Sequence, residues 1–573
     1  MGQPGVTGHL LALRPARPDR RGAAQGDGPL GVRLLPGRPG QPAGRLGRRR
    51  RASHPQRGRQ VSSSTDELSA AAPEKPVIAH GRLVLAAACL GLFMSFIEVT
   101  AAISTLRALQ VDMHVAPADL SWVSSMYTLV VAACVLSGGA LGERFGRRRV
   151  FLVGVVALAA GSLVVAGASG YPQVLVGRAI SGVGGALVLP TSLAIITTTF
   201  FVDLPRMLRY ITIWVSVSGI GLAVGPLLGG ALLNLYDWPA VYLVNTPVAV
   251  VTVAVTLYAV KETSVPNRPL DLWGQFLSVV GLGTLVYGIA VGGRTGYDDP
   301  VVVASLVVAV VALTALVLVE RRAPMPMLDV RMMGSLRVSA TLVVAASALF
   351  TFVGVVFLEV LFLQRVQGAE PLDTGVQLLP AMVSFVLATL VAQRIAAKVG
   401  PGRLLAAGSL VAGVAAVVLV AQQPDSAYGV TALGLTLLGL GSGLVVAPST
   451  AAAFAVVEPA QMGSASNAVT AFRQVGSVLA TSVLGAVLAM RFVGALPDKL
   501  AAAQVPPGTA AAVVDVARSG GNGDGRSTAE VTEAVNASFT AGIHTGLWVV
   551  AGVSFLALLL SLVFLTRTPQ GSK

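Results

Sequence analysis

The sequence predicts an all-α polytopic membrane protein with 14 transmembrane helices, and three observations lead there. Of its 573 residues, 54% are hydrophobic and only 12% are charged, with a mean hydropathy of +0.75. Soluble domains carry about 25% charged residues, and a soluble chain this apolar would expose large sticky patches. Second, the apolar residues fall into runs of spanning length, near 83–106, 121–142, 149–169, 173–196, 210–233, 240–260 and 272–292. Further runs lie near 300–319, 337–361, 375–396, 404–422, 430–452, 468–491 and 544–566. A span needs about 20 apolar residues. These runs are too long and too unalternating for barrel strands, so their backbone groups must be satisfied within helices.

The third observation is charge placement. With the N-terminus inside, the cytoplasmic loops carry Arg144, Arg147, Arg148, Arg149, Arg206, Arg209, Lys261, Arg268, Arg321, Arg322, Arg331, Arg337, Arg394, Lys398 and Arg403. Far fewer basic residues fall on the other side, the bias expected of a multi-pass protein in a cytoplasmic membrane with both termini cytoplasmic. A missed span would reverse the bias beyond it.

The formal net charge of +14 is concentrated at the start. Residues 1–80 hold 13 arginines and one lysine against five acids, a net +9. Rich in Gly and Pro and without a periodic apolar face, this segment is expected to be a disordered basic tail. A nucleic-acid-binding role, an anionic-lipid-facing role and a mis-assigned start upstream of Val61 are the alternatives; no nucleic-acid partner is expected.

Function classes are narrowed by what is lacking. Cys89 and Cys134 sit in apolar runs as small hydrophobes. The five histidines are scattered without metal-ligand spacing, and no lysine has the context of a phosphate loop. No paired carboxylates or nucleophile–base set occurs at active-site depth. The expectation is a non-enzymatic protein without cofactor or metal, powered by an ion gradient or by a separate subunit.

An internal repeat is visible. Gly184-Gly185-Ala186-Leu187-Val188-Leu189-Pro190 is echoed 258 residues on by Ser442-Gly443-Leu444-Val445-Val446-Ala447-Pro448, and Glu143–Arg147 more weakly by Ala397–Pro401, 254 residues on. Two parallel six-helix halves fit these offsets, 81–262 and 323–573, with two inserted central helices over 263–322. A long outer loop is expected at 493–543.

Motifs sharpen this reading. Between spans 2 and 3 stands Gly139-Ala-Leu-Gly-Glu143-Arg144-Phe-Gly146-Arg147-Arg148. In span 4 stands Arg178-Ala-Ile-Ser181-Gly182; in span 5, Gly221-Leu-Ala-Val-Gly225-Pro226-Leu-Leu-Gly229-Gly230. Trp238 to Pro247 follows, with Asn245 inside it; then come Asp271 and Arg473-Gln474-Val-Gly476. Together these resemble the major facilitator superfamily, in its 14-span drug:proton antiporter branch, over about residues 83–567. The likeness implies a major facilitator fold with a midplane site between halves. It also implies a monomer that exports small lipophilic drugs or antibiotics in exchange for protons. Departures are Glu143 for the usual Asp, Ser181 for Gln and Pro239 for Arg.

Each motif has a physical reading. Gly139 allows close helix approach, Gly146 a tight turn, and Glu143 can pair with neighbouring arginines to latch one conformation; a merely topogenic basic loop is the alternative. The span 5 glycines let helices touch, and Pro226 frees a carbonyl; packing alone would also explain them, and in the family they mark exporters.

Span 1 reads Glu98-Val99-Thr100-Ala-Ala-Ile103, similar to the branch's acidic motif with Glu98 for Asp and Ile103 for Asn. A charge at a helix centre costs about 2.5–3.5 kcal/mol on insertion scales. From Arg82, Glu98 lies ~24 Å up the helix, and Arg178, descending, reaches a similar level. Glu98 is therefore expected to carry the proton, with Arg178 tuning it and Thr100 nearby; a static ion pair is the competing reading. Glu359, near the outer end of span 9, reads as a solvated rim charge. Arg473 reads as a snorkelling or packing residue, with a substrate contact also open. An uptake carrier and a transport-inactive relative remain alternatives for the whole chain.

Overall fold

The computed structural model describes residues 80–113, 117–264, 271–323, 330–458, 461–518 and 528–566. Most of the basic N-terminal segment and the Gly520–Gly525 tract fall outside them. Seventeen α-helices account for nearly all of the described chain. They begin with α1 (Gly81–Met113), α2 (Pro117–Phe145), α3 (Arg147–Ala166), α4 (Tyr171–Thr199), α5 (Leu204–Leu235), α6 (Pro239–Leu243) and α7 (Asn245–Ala259). Next come α8 (Leu272–Thr295), α9 (Pro300–Arg322), α10 (Leu336–Leu361), α11 (Pro371–Gln377), α12 (Leu379–Val399) and α13 (Pro401–Leu419). The last are α14 (Tyr428–Phe454), α15 (Met462–Ala502), α16 (Pro507–Arg518) and α17 (Ala529–Leu560), with π-helical turns at Phe362–Val366 and Ser561–Leu565.

Among the described residues, 14 helical stretches are long and apolar enough to cross a membrane, as the sequence predicts. Several start on the signals expected of helix N-termini. Asp203 accepts from the Arg206 N–H, Asp271 from that of Gly274 and Asp299 from that of Val301, each satisfying a donor that has no partner within the helix. The outer faces are apolar, as lipid requires: Val303, Val307, Val310 and Val311 of α9 are exposed.

The region 493–543 departs from the expected loop. α15 runs unbroken to Ala502, α16 follows, and α17 begins at Ala529. The sequence reading stopped each span where hydropathy fell. Residues 493–502 are polar enough to leave the membrane yet retain an amphipathic face: Leu496 and Leu500 are buried, so tertiary packing carries the helix onward.

The internal repeat reappears as repeated packing. On α3, a Cβ added to Gly154 would meet Val188, Leu187 and the Gly184 carbonyl of α4; on α13, one added to Gly408 would meet Val445, Leu444 and the Gly441 carbonyl of α14. The partners correspond one for one. Their α4-to-α14 offset is 257, one less than the glycine and proline runs suggest, because Pro448 stands one residue further from its contact glycine than Pro190 does. The turns repeat too: Gly146 and Gly400 both take positive φ, 104° and 86°. The α8–α9 hairpin lies along α2 and α15, where Ala132, Val286 and Val478 form one cluster and Trp122 meets Tyr287 with ring centroids 5.7 Å apart.

Candidate functional site

Five helices converge on one buried carboxylate. Glu98 of α1 is 1% exposed and pairs with the Nη1 of Arg178 on α4, itself fully buried. Ser162 Oγ on α3 donates to Glu98 Oε1 at 2.5 Å, Asn245 Nδ2 at the start of α7 donates to the same oxygen at 2.8 Å, and Ser181 Oγ stands at 3.5 Å. Arg178 in turn donates from Nε to the Val123 carbonyl of α2 (2.8 Å) and from Nη1 to the Glu98 carbonyl (3.1 Å). Its guanidinium lies 5.1 Å from the centroid of the Tyr127 ring, and the Tyr127 hydroxyl donates to the Ser95 carbonyl at 2.9 Å. The side chains of Arg178, Ser162 and Asn245 all donate to the carboxyl. Such a pair withstands burial only when further hydrogen bonds offset desolvation, and the two serines and the asparagine supply them.

Glu98 and Arg178 thus meet, as their estimated depths imply, and Asn245 joins them. Thr100 does not. It donates to the Phe96 carbonyl and faces a separate cleft, because residues two apart on a helix point about 200° apart. That cleft lies between α1, α5, α10 and α15; Thr100, Ser104, Pro226, Val353, Phe357 and Gln364 line it. Pro226 therefore borders the cleft, while Gly221 and Gly230 bring α5 against α1 and α11: a Cβ on Gly221 would lie 2.9 Å from Phe96 and one on Gly230 2.8 Å from the Leu372 nitrogen. Gly225 and Gly229 are buried.

Sequence reasoning missed Ser162 and Tyr127. Ser162 had a signal, being the one polar residue of α3 beyond Arg149; Tyr127 had none, since an aromatic in a span is usual.

The chain between α2 and α3 turns at Gly146, where the positive φ excludes a side chain comfortably. Glu143 lies 4.0 Å from Arg147. The decisive partner is one that the sequence did not single out. Glu262, after α7, accepts from the Arg148 and Arg149 N–H groups (both 3.1 Å) and pairs with the Arg149 side chain at 3.7 Å, capping α3. Arg148 Nη2 reaches the Leu257 carbonyl, and the Arg144 guanidinium stacks on Phe145. Gly139 is buried, but the close approach to α4 is made by its neighbours: a Cβ on Gly142 would sit 2.8 Å from Thr191.

Two readings need correction. Glu359 is not a solvated rim charge: it is fully buried, accepting from Gln422 Nε2 at 3.2 Å. Its hydrogen-bond partner Gln422 lies 63 residues further along the chain, which no local pattern reveals. Arg473 is not snorkelling. It is 4% exposed and donates to the Val446 carbonyl, Ser449 (2.7 Å) and Thr450 (2.8 Å) around Pro448 of α14.

The family model described as Major Facilitator Superfamily matches residues 88–481. The chain belongs to the major facilitator superfamily. Among its relatives in that superfamily, the tetracenomycin C resistance and export protein of Streptomyces glaucescens is 31% identical, the match covering 82% of this chain and 89% of that protein. Drug efflux pump JefA of Mycobacterium tuberculosis is 30% identical over 85% of this chain and 99% of its own. The human organic anion transporter MFSD10 shares the fold, with a TM-score of 0.55 at 15% identity over 84% of this chain and 99% of that one. This major facilitator protein is accordingly a multi-pass membrane protein with a carrier's architecture, and the buried carboxylate sits in its first span.

Proposed function

We propose that this chain exports small lipophilic compounds, drugs or antibiotics, across the cytoplasmic membrane in exchange for protons, acting as a monomer with both termini inside. The observation that carries the reading is the Glu98–Arg178 pair: an ionisable pair buried within a span is costly and marks a functional site, and parting Glu98 from Arg178 would free it to take a proton. Relatives named as resistance and export proteins support the direction of transport.

The mechanism follows from α1. One face carries Glu98 into the α2–α3–α4–α7 cluster, and the other carries Thr100 into the cleft. Protonation of Glu98 from the outer side parts it from Arg178 and shifts α1 so that substrate leaves the cleft at Thr100 and Pro226; release of the proton to the cytoplasm restores the pair and readies the cleft for the next substrate, so the two are never held together. We take residues 81–262 and 323–573 as the halves that rock, with 263–322 as the inserted pair. Glu143, Arg144, Arg147 and Arg148, anchored by Glu262, form the cytoplasmic latch. The gradient supplies about 1.4 kcal/mol per pH unit and about 2.3 kcal/mol per charge per 100 mV.

Glu98→Gln tests this. In everted vesicles the variant should at most equilibrate drug and not accumulate it, whatever the ΔpH; full pH-driven accumulation by it would end the proposal.

A further inference from the structure

We propose that Glu359 and Gln422 form a second proton-binding site, in which Glu359 holds its proton as a neutral acid–amide pair near the outer end of the bundle. Glu359 lies ~34 Å along α10 from Leu336, beyond the level of Glu98, and is completely buried. No cation lies within 4 Å of it among the described residues. Gln422 Nε2 gives one hydrogen to Glu359 Oε2 (3.2 Å) and the other to Thr431 Oγ1 (2.6 Å). Two atoms are then left without a partner, Glu359 Oε1 and Gln422 Oε1. Both are acceptors when Glu359 is ionised, and one carboxyl proton supplies the donor they lack. Turning the amide over does not remove the need, since its oxygen would then face Glu359 Oε2. An isolated buried carboxylate with a single hydrogen bond neutralises rather than stay charged.

The remaining ionisable groups around this end do not substitute for the proton. On α17, His544 Nε2 donates to the Gln422 carbonyl at 2.8 Å and so fixes the backbone of the amide's own residue. Arg365 of the π-helical turn stacks over Phe492 and Phe539, with its guanidinium carbon 5.4 and 4.5 Å from the ring centroids. Arg491 of α15 is exposed, and the Tyr428 hydroxyl of α14 donates to the Gln377 carbonyl at 2.8 Å. Gln422 is thereby held by α10, α14 and α17 at once, and its neighbours Ala421 and Gln423 are exposed, which leaves a short path for a proton. Losing that proton would place an uncompensated charge between these helices and loosen the outer end of α10, whose Val353 and Phe357 line the cleft. This site is distinct from the Glu98 cluster and does not depend on it.

Infrared spectroscopy of the whole protein in liposomes decides the matter. The wild-type-minus-Glu359→Gln spectrum at neutral pH should show the C=O stretch of a hydrogen-bonded carboxylic acid, also when both proteins carry Glu98→Gln; carboxylate bands in its place would overturn the proposal. Should Glu359→Gln fail to fold, Gln422→Leu serves, because it leaves the acid and removes its partner: the acid band should move to the position of a free carboxyl, and an unmoved spectrum overturns the pair. Transport gives a second readout. Glu359→Gln keeps both hydrogen bonds as an amide pair, so in vesicles held at constant ΔpH its rate at acidic pH should stay within about twofold of wild type, while its decline at alkaline pH should be shallower than that of wild type. An unchanged alkaline decline would count against the site.

Discussion

At the residue scale, Glu98 and Arg178 depend on one another more than on anything else in the molecule. Removing one member of a buried pair leaves an uncompensated charge, a loss of about 3–5 kcal/mol, whereas replacing both by apolar groups is often neutral. Arg178→Leu should therefore lower the thermal midpoint sharply, and the double variant Glu98→Leu with Arg178→Leu should recover it without recovering ΔpH-driven transport. A double variant no more stable than the single one would show that the surrounding donors, Ser162 and Asn245, matter more than the pair. Thr100 separates the two faces of α1. Thr100→Trp fills the cleft and should abolish substrate movement while leaving the thermal midpoint of the pair's cluster in place; undiminished efflux by this variant would place the substrate path elsewhere.

At the element scale, the glycines decide how near the helices come. Gly184 of α4 and Gly441 of α14 occupy corresponding contacts, each facing backbone of the preceding long helix at Leu158 or Ala412. Alanine at either should cost comparable stability, by the overpacking range of about 1–3 kcal/mol, measured as the thermal midpoint of each purified variant. The cap on α3 is a smaller term: Glu262→Ala should cost about 1 kcal/mol and loosen the Gly146 turn, read as faster proteolysis between α2 and α3. These elements also show what the sequence made legible. Span number, motif positions and the Gly146 turn were readable because each rests on local chemistry: apolar length, basic loops, a residue that accepts positive φ. Glu262, Ser162 and Gln422 were not readable as partners. Each acts on a residue 63 or more positions away, and only the packed bundle brings them together. The same reason explains the error at 493–502, where hydropathy ended the span but burial of Leu496 and Leu500 carried the helix on.

At the scale of the whole molecule, two bundles of repeated packing enclose an apolar cleft, and the deep carboxylates stand behind its walls rather than within it. Glu98 faces away from the cleft on α1, and Glu359 is buried on α10 against Gln422. Charge is thereby kept off the surface that a lipophilic compound would touch, while each carboxylate sits on a helix that shapes that surface. Exchange then requires no direct contact between proton and substrate, only that α1 cannot satisfy both at once. The most direct measurement is uptake of a lipophilic dye into everted vesicles carrying the wild-type chain, energised and then treated with a proton uncoupler. The account predicts that accumulated dye leaves on uncoupling and that Glu98→Gln vesicles never accumulate it; accumulation that persists undiminished without ΔpH or voltage would contradict it.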